Sequence, residues 1–100
     1  MKNSNLKALM ALLKKEKPFL KKKYKVREIG IFGSYVRGDQ QLQSDIDVLV
    51  DYIDNSIDLF DFLDLKEYLS GLMGKDVDLV MKSGLKPVIG KRILNQVIYV

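Results

Sequence analysis

Apolar positions first recur at helical spacing. Leu6, Leu9, Met10 and Leu13 follow the i, i+3, i+4, i+7 pattern, with Ser4 placed to cap a helix that carries them. Pro18 either ends that helix or opens a second short one through Tyr24. Val26 to Phe32 is β-branched and aromatic around Gly30 and predicts a first strand running into Gly33. Residues 34 to 43 are polar and predict a loop, with room for one helical turn from Ser34 to Arg37. From Asp45 to Tyr52 the period changes to two. Ile46, Val48, Val50 and Tyr52 then share one strand face, and Asp45, Asp47, Leu49 and Asp51 share the other.

Ser56 is placed to cap a helix to about Ser70, with Ile57, Phe60, Leu63 and Tyr68 along one stripe and Gly71 just past its end. Lys75 to Met81 predicts a third strand, with Val77, Leu79 and Met81 on one face and Asp76 and Asp78 on the other. Pro87 opens a last helix through about Gln96, and Val97 to Val100 is a short extended tail. The predicted order is α-β-β-α-β-α, an α/β (α+β) unit with a mixed three- to four-stranded sheet flanked by helices, in one domain over residues 1 to 100. A crossover helix makes strands two and three parallel, and the short loop makes strands one and two antiparallel.

Composition then narrows the chemistry. At 47% apolar the chain can form a core. It has no Cys and no His, which excludes disulfides, zinc-thiolate sites, thiol nucleophiles and imidazole acid-base catalysis. Carboxylates, hydroxyls, Lys, Arg and backbone remain, an inventory suited to hard oxygen-ligated cations such as Mg²⁺. No apolar run is long enough for a membrane span and no signal peptide is evident, so a cytoplasmic location is expected. The net charge of +4 is uneven. Lys14, Lys15, Lys17, Lys21, Lys22, Lys23, Lys25 and Arg27 cluster with only Glu16 among them. This cluster is either a solvated helix face and loop or a docking surface for an acidic partner or RNA.

Two motifs carry candidate chemistry. Asp45 and Asp47 emerge on one face of an otherwise apolar strand, and Asp78 occupies the equivalent face of the neighbouring strand. Acids gathered this way repel and resist desolvation unless a cation neutralises them, although a half-exposed sheet shows the same alternation. Phe32-Gly33-Ser34 places Gly at a strand end, where backbone can approach a ligand closely, and Ser34 opens a helical turn suited to phosphate. Arg37 follows three residues on and can reach a phosphate oxygen or one of the acids.

Ile31-Phe32-Gly33-Ser34-Tyr35-Val36-Arg37-Gly38, followed by Ser44-Asp45-Ile46-Asp47-Val48-Leu49-Val50, resembles the DNA polymerase beta-like nucleotidyltransferase superfamily, and most of all its minimal members, the MNT proteins. Their signature is Gly-Ser, ten residues, then Asp-x-Asp, with a third carboxylate in a later Val-Asp-Leu string, here Val77-Asp78-Leu79. The resemblance implies that Asp45 and Asp47 bind two Mg²⁺ ions, that Asp78 ligates the catalytic one, and that Gly33 and Ser34 hold the phosphates of ATP. Asp76 shares the face of Asp78, which leaves the third ligand open between them.

Minimal members work beside a small helical HEPN protein as the antitoxin of a toxin-antitoxin pair. The resemblance therefore implies a hetero-oligomer in which AMP passes from ATP to a tyrosine of the HEPN toxin. Two other readings stand beside it. One is a non-catalytic binding module that neutralises a partner by occlusion; the other is nucleotide addition to RNA through the basic stretch.

Overall fold

The structure, a computed structural model, describes residues 2–100, with side chains from Asn5 onward. Its elements are α1 (Lys2–Tyr24), β1 (Val26–Phe32), α2 (Ser34–Arg37), β2 (Ile46–Tyr52), α3 (Leu59–Met73), β3 (Val77–Met81), a 3-10 turn (Lys82–Gly84), α4 (Pro87–Gln96) and β4 (Ile98–Tyr99). The sheet order is β3-β2-β1-β4. β2 runs parallel to β3 and antiparallel to β1, as the connection lengths predict, and β4 pairs antiparallel with β1. The fold is thus the expected mixed sheet with flanking helices. Among the described residues no helix is long and apolar enough to cross a membrane.

The extended tail does more than trail from α4. It becomes the fourth strand, with Gly30 opposite Tyr99 and Ile31 opposite Ile98. Gly30 makes this pairing possible, because a Cβ there would lie 2.6 Å from the Ile98 carbonyl oxygen and 2.8 Å from Val97 Cγ2. A glycine inside a strand often marks such a close backbone approach.

One sheet face packs against α1 and α3 and holds the core. Ile29, Ile31, Ile46, Val48, Val50, Val77 and Leu79 from the strands meet Leu13 and Leu20 of α1 and Leu65 and Leu69 of α3. Pro18 does not break α1, which is continuous from Lys2 to Tyr24. An internal proline costs a helix about 3 kcal/mol. Here the turns beyond it are held by burial of Leu20 and by ring contacts among Phe19, Tyr24 and Tyr68. Ser4 lies inside α1 rather than at its start, and its side chain falls outside the described residues.

The second long helix also differs from expectation. Asp58, not Ser56, is its N-cap, in a reciprocal capping box with Asp61, while Ser56 bonds to Asp54. It continues through Gly71 and stops at Gly74, whose φ of 71° suits the left-handed cap. The buried stripe is Leu65 and Leu69 with Phe62, Tyr68 and Leu72 at its margins, whereas Phe60 and Leu63 face solvent. Two overlapping apolar stripes exist on this helix, and packing into the core covers the one that carries Leu65 and Leu69. β2 and β3 begin one and two residues later than their predicted starts at Asp45 and Lys75.

Candidate active site

The acids gather where β1 ends and β2 and β3 begin. Asp47 lies opposite Phe32 on β1 and opposite Asp78 on β3, so the parallel register puts both aspartates on the face away from the core. Asp45 precedes β2 by one residue and is exposed, as is Asp78, while Asp47 is half-buried. That face is not simply open to water: Leu49 is fully buried on it and Phe32 nearly so. Burial foremost, and then the Asp78 and Asp45 carboxylates, hold the Asp47 carboxyl above its ordinary pKa, against an opposing pull from the Arg37 guanidinium. Asp76 is not among the groups that shift Asp47, although its carbonyl accepts from the Ile46 amide at 3.0 Å. The geometry therefore couples Asp78, rather than Asp76, to Asp47.

Gly33 closes the site from the β1 side. Its φ of 78° and ψ of −145° are strained for residues with a side chain, and a Cβ there would sit 2.1 Å from Asp47 Oδ2. Backbone and carboxylate are thus packed face to face, which only glycine permits. Its carbonyl accepts from the Val36 and Arg37 amides at 3.1 Å each, starting the single turn α2 at Ser34. Gly38, at φ 82°, ends that turn by donating to the Ser34 carbonyl at 2.9 Å. Arg37 reaches Asp39 at 3.2 Å and Gln96 at 3.5 Å, so its contact with the acids is through space.

The carboxylates of Asp45, Asp47 and Asp78 share one end of one sheet face. Among the described residues, however, no three acidic side chains are drawn in closely enough to enclose a metal ion. The donor set itself fits a hard divalent cation: three carboxylates, no softer ligand, and mutual repulsion raising Asp47 that a cation would relieve.

Two contacts near the site had no strong sequence signal. Lys75 Nζ donates to the Leu42 carbonyl at 2.6 Å, tying down the loop that leads to Asp45. Gln96, at the end of α4, meets Arg37 only because β4 returns along β1. The second had one clue, the glycine within β1.

Comparison with known proteins shows the family and the fold. A profile of the nucleotidyltransferase domain matches residues 13–100. The chain belongs to this nucleotidyltransferase family. It is an enzyme of that class. It is 47% identical over 95 residues to the protein adenylyltransferase MntA of Thermococcus cleftensis, spanning 95% of each chain. A solved toxin-antitoxin structure with AMP-PNP matches it at TM-score 0.68 and 27% identity, over 99% of this chain and 72% of that one. A structure of tri-AMPylated Shewanella oneidensis HEPN toxin in complex with MNT antitoxin matches at TM-score 0.61 and 26% identity, over 99% and 71%. The nucleotidyltransferase fold and class read from residues 31 to 50 and 77 to 79 are those of its relatives.

Proposed function

We propose that this nucleotidyltransferase moves AMP from ATP onto a tyrosine hydroxyl of a cognate HEPN toxin and so acts as its antitoxin. The observation that carries the reading is the packing of Gly33 backbone against the Asp47 carboxylate, with Asp78 in register beside it. The MntA relative and the structure of a HEPN toxin carrying AMP support the acceptor class. Gly33, Ser34 and Arg37 hold the triphosphate, with Ser34 offering hydroxyl and amide and Arg37 a guanidinium. Asp45, Asp47 and Asp78 would hold two Mg²⁺ ions, which when bound supply charge neutralisation at the reacting phosphate. The tyrosine oxygen forms a bond to the α-phosphorus as the bond to the bridging oxygen breaks, and pyrophosphate departs. Asp78, exposed beside Asp47, accepts the tyrosine proton.

The test is incubation of the protein with α-labelled ATP, Mg²⁺ and the product of the neighbouring gene. Label on a tyrosine of that product, absent with γ-labelled ATP, is the expected result. No label from either nucleotide overturns the transferase reading. Full protection of cells by Asp47→Asn would show instead that occlusion suffices.

A further inference from the structure

The basic stretch takes no part in the site above, and the fold arranges it strictly. Eight lysines and one glutamate put +7 on α1, leaving −3 on the rest of a chain whose net charge is +4. At about 100° per residue, Lys7, Lys14, Lys15, Lys21 and Lys22 fall within a sector of about 120°, on the side away from the buried Leu13 and Leu20. All five are exposed. Glu16 is turned aside to accept from the Tyr68 hydroxyl, and Lys17 donates to the Val100 carbonyl. Among the described residues none of the five is paired with a carboxylate. From Lys7 to Lys21 the row runs about 21 Å.

We infer that this row binds the phosphate backbone of a nucleic acid, independently of the transferase reading. The centre of a protein-protein interface is normally depleted of lysine and built on aromatic and apolar anchors, and this sector offers only Ala11 and Pro18 between its charges. Insertion into a membrane surface needs a free apolar helix face, and that of α1 is packed on the sheet. A linear row of unpaired point charges fits a polyanion recognised by charge alone, without base readout.

The test is fluorescence anisotropy of the full chain with a labelled 20-nucleotide mixed-sequence RNA, between 50 and 200 mM NaCl. A 20-base-pair DNA duplex serves as a second probe. Neutralisation of about four phosphates gives a log-log slope of about −2.8 for the single strand, a loss of about 50-fold across that range. K14Q/K15Q/K21Q/K22Q, with its helix content checked by circular dichroism, should bring the slope above −1. K14Q/K15Q should fall between, which keeps the test open if the quadruple variant fails to fold. A wild-type slope above −1, or a quadruple variant that is folded and binds as the wild type does, overturns the inference. So does equal competition by poly-glutamate, which would mark an acidic protein as the ligand. Capture by phosphatidylserine vesicles without RNA or DNA binding overturns it in favour of a lipid surface.

Discussion

Gly33→Ala separates two effects that usually travel together. The substitution places a methyl at φ 78° and ψ −145°, close to a backbone region essentially confined to glycine, at a cost of about 1–3 kcal/mol. It also sets that methyl 2.1 Å from Asp47 Oδ2 and 3.2 Å from Asp47 Cβ. The carboxylate ends a short rotatable side chain, so it can swing away at little further cost in stability. It then leaves the position it holds beside Asp78. Gly38→Ala is the control for a positive φ without the contact: the backbone there is left-handed, at φ 82° and ψ 15°, and no described atom lies within 4 Å of the added methyl. Gly38→Ala should lose about 1–2 kcal/mol and Gly33→Ala about 1–3 kcal/mol, falls in Tm of about 4–16 °C and about 4–24 °C for a chain of this size. Misplacing a reacting group by about 1 Å costs about 100-fold in rate, so Gly33→Ala should lose that much transfer activity while Gly38→Ala stays within about threefold. Calorimetry and the AMP-transfer assay, run below both melting temperatures, measure the two effects. If Gly33→Ala and Gly38→Ala transfer AMP equally well, the contact between Gly33 and Asp47 has no part in the chemistry.

Other expectations concern stability. Gly71 lies inside α3 with nothing within 4 Å of a built Cβ, so Gly71→Ala should stabilise the protein by about 0.5–1 kcal/mol in denaturant melts. Asp58→Ala removes the capping box of α3 and should cost about 1 kcal/mol by the same measurement. Burial, and then Asp61, push the Tyr52 phenol up to about 12. The folded state therefore holds this proton more tightly than the unfolded chain. Its contribution is constant below pH 10 and is lost as pH rises from 10 toward 12. Tyrosinate absorbance should show a residue that ionises late, and Tyr52→Phe should remove that step. Because the Tyr52 hydroxyl is buried without a hydrogen-bond partner among the described residues, Tyr52→Phe should be no less stable at neutral pH, as read by its melt.

The strands were legible because they combine β-branched residues with strict alternation. Val26–Phe32 appears with the predicted ends, and the faces of β2 follow directly from its period of two. Connection length alone decided which neighbours run parallel. The helices were harder. Leu59, Phe60, Phe62, Leu63, Leu65 and Leu69 admit two stripes, and tertiary packing decides between them; where the helix starts is a separate contest between two good cap residues, Ser56 and Asp58. Pro18 was read by local propensity, which tertiary burial of Leu20 overrode. At the site, spacing brought Gly33, Asp45, Asp47 and Asp78 into view. It could not reveal that Gly33 is packed on Asp47, since that contact depends on how β1 and β2 pair. Nor could it distinguish Asp78 from Asp76, which alternation places on the same face; coupling to Asp47 distinguishes them.

The most direct test of the central claim is the transfer reaction itself, comparing wild type with Asp47→Asn on the same cognate toxin. Mass spectrometry should find adenylyl groups on a toxin tyrosine with the wild type and none with Asp47→Asn, while both proteins still bind the toxin. An unmodified toxin in both samples, or equal modification by the two proteins, would contradict the account.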